Sequence, residues 1–140
     1  MKHRLFLDTN IMLDLLGERV PFYEPIAKLA TLADQGELDF VVSALSYATV
    51  HYFLAKFEGR ESSIEKLRKF KVLSSVVAVD EVIIEKGLAS SFNDFEDALQ
   101  YYCALKSNCQ AVLTRNSKDF KTSALPVLTA KEYLKSISRT

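Results

Sequence analysis

The stretch "LFLDTNIMLDLL", Leu5 to Leu16, decides how the rest of the chain is read. Leu5-Phe6-Leu7 is a short apolar run of the kind shown by a strand buried on both faces. From Asn10 to Leu16 apolar side chains recur at helical spacing up to Gly17. Between the two stand Asp8, Thr9 and Asn10, three polar side chains at a strand-to-helix junction. A plain explanation is capping of the free N–H groups at the helix start. A functional one is available too, because ligands of parallel α/β sheets bind beyond the carboxyl ends of the strands, where Asp8 falls.

The same alternation continues outward. "IAKLATLADQG" has apolar residues at 26, 29, 30, 32 and 33 before Gly36, a helical period. "LDFVV" is a second strand, and Ser43 suits the N-cap of the long apolar helix "ALSYATVHYFLAKF". "SIEKLRKFKVL" is a basic amphipathic helix, "SVVAV" a third strand, and Asp80 the N-cap of "EVIIEKGLAS". "FNDFEDALQYYCALKS" reads as a helix with apolar positions at 95, 98, 99, 102 and 105. "QAVLT" is a fourth strand, "RNSKDF" a polar loop, and Pro126-Val127-Leu128 a short fifth strand before the helix "AKEYLKSI". Strands alternating with helices predict an α/β domain whose short parallel sheet of four or five strands is covered on both faces.

Composition narrows the class. Of 140 residues 49% are apolar, with four Gly and three Pro, which argues against disorder and for one compact domain over residues 1–140. Eighteen basic residues balance eighteen acidic ones, so no general attraction draws the chain to nucleic acid or to anionic membranes. A polyanion would need a local patch or collected metal ions. No stretch reaches membrane-spanning length, and the apolar run near the N-terminus is too short for a signal peptide. Cys103 and Cys109 form no CxxC pair and read as reduced thiols of a cytoplasmic protein.

Asp8 has acidic company. Asp94 and Asp97 in "DFEDA" share a helix face, where like charges repel unless a cation lies between them. As an N-cap and a first-turn acid they would be equally at home. Asp119 follows the fourth strand in "LTRNSKDF", where a solvated turn would explain it too. Together these four carboxylates come from three segments that a parallel sheet brings to one rim. Such a cluster needs protons or cations to be tolerable. Its all-oxygen chemistry suits Mg²⁺ or Mn²⁺, and with no His or Cys in the pattern zinc is a poor candidate.

The series "FLDTNIMLDLL", "VVSALSYATVHYFL", "DFEDALQYYCAL" and "VLTRNSKDF" resembles PIN-domain ribonucleases, in particular toxins of the VapBC toxin–antitoxin type. The resemblance covers nearly the whole chain in order. It implies a PIN-like three-layer α/β/α domain and a metal-dependent endoribonuclease with Mg²⁺ or Mn²⁺ in an acidic pocket. It also implies a homodimer and an antitoxin protein partner. On this resemblance Asp8, Asp97 and Asp119 hold the metal with Asp94 assisting, while Asn10 and Thr114 orient ligands and the phosphate. Asn116 lines the site beside Asp119.

One position departs. Where the family pattern after the second strand usually reads alanine–glutamate–valine, this chain has Ala48-Thr49-Val50. A carboxylate has become a hydroxyl, so metal affinity should fall and one ion is favoured over two. Thr49 remains able to hydrogen-bond a water on the metal. Glu58 and Glu61 lie roughly 13 Å or more farther along the helix, too far to substitute. The alternative function is a catalytically weakened PIN domain that binds RNA or a protein. A phosphotransferase with Asp8 as nucleophile fits less well, since Asn10 stands where that pattern wants a second aspartate.

Arg115 and Lys118 flank Asp119 and are the expected contacts to an RNA strand, together with Thr49 and Asn116. Lys66, Arg68, Lys69 and Lys71 form a basic stripe, by default a solvated face. Tyr102 fits the buried side of its helix, leaving Tyr101 able to stack on a base or, by default, partly buried. The helix "YATVHYFLAKF" is more apolar than one water-facing helix requires, so it lies in a deep core or meets another subunit.

Overall fold

The computed structural model describes residues 2–120 and 123–138. Five parallel strands make one sheet in the order β3-β2-β1-β4-β5, with β1 at His3–Leu7, β2 at Leu38–Ser43, β3 at Ser74–Val77, β4 at Ala111–Leu113 and β5 at Val127–Leu128. The helices among the described residues are α1 Thr9–Leu16, α2 Tyr23–Asp34, α3 Ala44–Glu58, α4 Arg60–Leu73, α5 Glu81–Ala89, α6 Phe95–Lys106 and α7 Ala130–Ile137. A 3-10 turn at Ser117–Phe120 follows β4.

Strand pleating explains the layers. Successive residues of a strand point to opposite faces. Leu5, Leu7, Phe40, Val42, Ala111 and Leu113 therefore enter one core, with Ile26, Leu29, Val50, Phe70 and Tyr133 from the helices above them. Phe6, Val41 and Val112 enter the other, against Ile83, Leu99, Cys103 and Phe120. Because both faces are covered, the strands read as unbroken apolar runs. The result is a three-layer α/β/α sandwich.

Most of the helix starts follow side-chain capping. Asp8, Ser43, Asp80, Asp94 and Thr129 each accept a hydrogen bond from an N–H of the first turn, and Thr129 with Glu132 completes a capping box. Asp94 as N-cap delays α6 to Phe95, three residues later than its pattern suggests.

The core of α6 also differs from its reading. Tyr101 is buried and its Oη accepts from the N–H of Ala124 at 2.9 Å, while Tyr102 is half-buried. The segment after the 3-10 turn packs over α6, so this helix is covered on a second side that no periodicity reveals. Cys103 and Cys109 are free and buried, and burial pushes both thiols up to about 11. No described helix is long and apolar enough to cross a membrane.

The sheet order places the site. β1 leads on to β2 on one side, while β4 lies on its other side, so β1 and β4 flank a switch point. Leu7 pairs with Leu113, and the N–H of Asp8 donates to the carbonyl of Leu113 at 2.9 Å. Asp8 and Thr114 thus leave the sheet side by side, at the edge where such folds bind ligands.

Candidate active site

Asp8 is buried, and both of its oxygens are engaged. Oδ1 accepts from the N–H of Thr9 at 2.8 Å; Oδ2 accepts from the Thr114 hydroxyl at 2.8 Å and from Asn10 Nδ2 at 3.4 Å. Asn10 Nδ2 also donates to Thr114 Oγ1 at 3.3 Å, and its Oδ1 accepts from the N–H of Arg115 at 3.3 Å. Burial pushes the Asp8 carboxyl above its ordinary range, and the hydrogen bonds from Thr114, Thr9 and Gln100 partly offset this. Beneath it Gln100 Nε2 donates at 2.9 Å to the hydroxyls of both Thr9 and Ser46, tying α6 to α1 and α3.

In front of Asp8 lies a cleft of about 1010 Å³. Its polar lining is Asp8, Thr9, Asn10, Arg19, Thr49, Glu58, Asp94, Glu96, Asp97, Asn116 and Asp119. Its apolar lining is Leu13, Phe53, Leu54 and Phe57. Helix α6 delivers Asp94, Glu96 and Asp97 with its first turn, and the 3-10 turn delivers Asp119. The Asp97 carboxyl is pushed up to about 7, first by burial and then by Asp8, Asp94, Asp119 and Glu96. Glu96 is raised by burial and by Asp8 and Asp94. Carboxylates from three parts of the chain therefore feel one another across a single cleft, which is a demand for positive charge.

A family model described as "PIN domain" matches residues 4–118. The chain belongs to the PIN-domain family. Comparison with curated protein sequences gives no significant match. Solved structures that share the fold include VapBC2 from Rickettsia felis bound to a promoter DNA fragment, at 20% identity and TM-score 0.65, covering 89% of this chain and 96% of that one. Another is VapC20 of Mycobacterium tuberculosis, a Sarcin-Ricin loop cleaving toxin, at 15% identity and TM-score 0.61, covering 77% and 86%. A third is a toxin–antitoxin complex from Klebsiella pneumoniae, at 21% identity and TM-score 0.64, covering 90% and 97%. At these identities the likeness is one of fold.

Not every expected residue of this PIN domain faces the cleft. Thr114 is fully buried behind Asp8, so its hydroxyl orients that carboxylate and has no access to a phosphate. Arg115 is turned away, paired with Asp14 on α1. Lys118 is exposed but does not line the cleft. Glu58 lines its far end, where it accepts from Ser62 at 2.6 Å and from Lys66 at 3.0 Å. Lys66 also donates to the carbonyl of Leu16 at 2.8 Å, so one member of the basic stripe is occupied within the fold.

Glu96 was missed in the sequence. A heptad-like reading pairs residues three or four apart on one face, which selects Asp94 and Asp97. In a first turn, however, a long side chain between them reaches sideways to the same opening. The donor chemistry of the cleft, all oxygen and strongly anionic, fits a hard divalent cation. Among the described residues no three His, Cys, Asp or Glu side chains already stand in a ligating array.

Thr114→Val tests the support of Asp8. Losing the 2.8 Å bond leaves the carboxylate less stabilised as an anion. Mn²⁺ binding, followed by calorimetry, should weaken about 10-fold, and more at pH 6 than at pH 8, because supporting partners of metal ligands typically carry such effects.

Proposed function

We propose that this PIN domain is a metal-dependent endoribonuclease, acting as the toxin of a toxin–antitoxin pair. The observation that supports it most is the meeting of Asp8, Asp97 and Asp119 in one cleft at the sheet's switch point, with Asp97 raised to about 7 by burial and then by its acidic neighbours. Mg²⁺ or Mn²⁺ would be held by Asp8, Asp97 and Asp119 with Asp94 assisting, and Glu96 would supply the charge that Thr49 lacks. Such an ion, when bound, stabilises charge on a phosphodiester and lowers the pKa of water. The protein's own part is electrostatic and positional. Thr114 and Asn10 hold Asp8 in one orientation, the first turn of α6 presents Asp97, and Asn116 and Thr49 offer polar contacts to an incoming RNA strand.

The apolar part of the cleft suits a protein partner. Phe53 and Phe57 line the cleft, and with Tyr52 they are exposed at 39%, 87% and 57% on α3. An antitoxin segment is the proposed occupant, and a second copy of the chain the proposed assembly. The Klebsiella neighbour is itself a toxin–antitoxin complex.

The deciding experiment is RNA cleavage with Mn²⁺ or Mg²⁺ by wild type, Asp8→Asn and Asp97→Asn. Cleavage by wild type alone supports the reading; equal cleavage by all three overturns it. A second reading, a weakened PIN domain that only binds, is favoured by Thr49 in the cleft. It predicts no wild-type cleavage and a large gain in Thr49→Glu.

A further inference from the structure

One buried charge takes no part in the cleft. Asp14 on α1 is 1% exposed, with Arg115 Nε 3.0 Å from its Oδ2 and Arg19 Nε 3.8 Å from its Oδ1. The first contact is close but out of line, and the second is too long for a hydrogen bond. Both Asp14 oxygens and Arg115 Nε lack a hydrogen-bond partner among the described residues. The Arg115 guanidinium also lies over the Phe22 ring, 4.2 Å from its centroid. Burial outweighs both arginines, so the Asp14 carboxyl is held above its ordinary range. An ion pair whose desolvation is not recovered is a poor stabiliser, so stability alone does not account for it.

Its place in the chain suggests another role. Arg115 directly follows Thr114, the donor to Asp8, and its own N–H donates to Asn10. Asn116 comes next: its N–H donates to Thr114 Oγ1 at 3.2 Å, and its carbonyl accepts from the N–H of Asp119 at 3.0 Å. Arg115 is therefore bonded to Asn10 through its own N–H and adjoins Asn116, whose carbonyl holds the N–H of Asp119.

We propose that the Asp14–Arg115 pair, backed by Phe22, is a tether fixing the segment from β4 to the 3-10 turn against α1, which makes Arg115 a positioning residue for Asn116 and Asp119 and not an RNA contact. This rests on the nuclease reading only for what Asp119 is positioned to do. In an RNA-contacting role the guanidinium would need to be free, and here it is held from two sides.

Amide hydrogen exchange read by NMR, with Mn²⁺ calorimetry, tests the tether in Asp14→Asn and Arg115→Gln. Exchange at the Asp119 amide should accelerate about 10-fold or more in each variant, and the double variant should add nothing further, as expected of two partners in one interaction. The amides of Asp8 and Val112 in the sheet should stay as in wild type. Mn²⁺ affinity should fall about 10-fold. Should Asp14→Asn not fold, Arg115→Lys takes its place, since it keeps the charge but loses the flat face over Phe22, and the same acceleration is expected. Unchanged exchange at Asp119 overturns the tether. So does tighter RNA binding by Asp14→Asn alongside weaker binding by Arg115→Gln, the signature of a freed and a lost RNA contact. If wild type binds no Mn²⁺, the nuclease reading fails while the exchange measurement still decides the tether.

Discussion

Asp97→Asn is expected to stabilise the metal-free protein while removing the proposed nuclease activity. The Asp97 carboxyl sits at about 7 in the fold, against about 3.9 in an unfolded chain. A raised pKa means that the folded state holds its proton more tightly. Between those values the folded chain binds more protons, and stability falls as pH rises. Below pH 4 both states are protonated and nothing is lost; above pH 7 the full penalty is present. In chelator-treated protein at pH 8, Asp97→Asn should therefore raise the melting temperature by about 3 °C or more, the scale of a 1 kcal/mol change in a chain of this size. At pH 5 the gain should shrink, and below pH 4, where the unfolded chain carries the proton too, it should vanish. Adding Mn²⁺ reverses the order, because only wild type gains binding energy. RNA cleavage should fall by more than about 100-fold, since metal stabilisation of charge is worth several kcal/mol. A variant less stable than wild type at pH 8 without metal would show that Asp97 is not under electrostatic stress and that the cleft has no need of a cation there.

What could be read from the chain follows a physical division. Leu5-Phe6-Leu7 and Phe40-Val41-Val42 alternate between two cores, so the strands and their double cover are written in composition alone. Ser43, Asp80 and Asp94 cap helices as their types suggest, because capping is settled within four residues. For Asp8 and Asp94 the capping and the functional explanations coexist. Asp94 Oδ1 accepts from the N–H of Asp97 while its side chain still lines the cleft. What periodicity could not supply is how one element faces another. Tyr101 is buried because residues 123–125 cross α6. Arg115 is turned from the cleft because Asp14, a hundred residues earlier, lies behind it. Glu96 enters the cleft because the first turn of α6 opens on the same space as Asp8. Each depends on packing between segments far apart in sequence.

The last of these leads to the second large effect. Glu96→Gln should weaken Mn²⁺ binding by at least about 10-fold, and Thr49→Glu in the same chain should restore it. The estimate is Coulombic. One charge 4 Å from another is worth about 1 kcal/mol even in bulk water, a divalent ion doubles that, and about 1.4 kcal/mol is tenfold in affinity. A cleft screened less than water makes the loss larger. Both side chains line the same opening, so a carboxylate at either position would face an ion held there. Thr49→Glu alone adds one more negative charge to a cleft where Asp97 already sits at about 7. It should lower the melting temperature of chelated protein while tightening Mn²⁺ binding. That opposition separates an electrostatic role from a change in packing, which would move both in one direction. Calorimetry and thermal unfolding, each with and without metal, read the four chains directly. Should Glu96→Gln bind Mn²⁺ as wild type does, the missing glutamate has no replacement, and the three aspartates must hold the ion unaided.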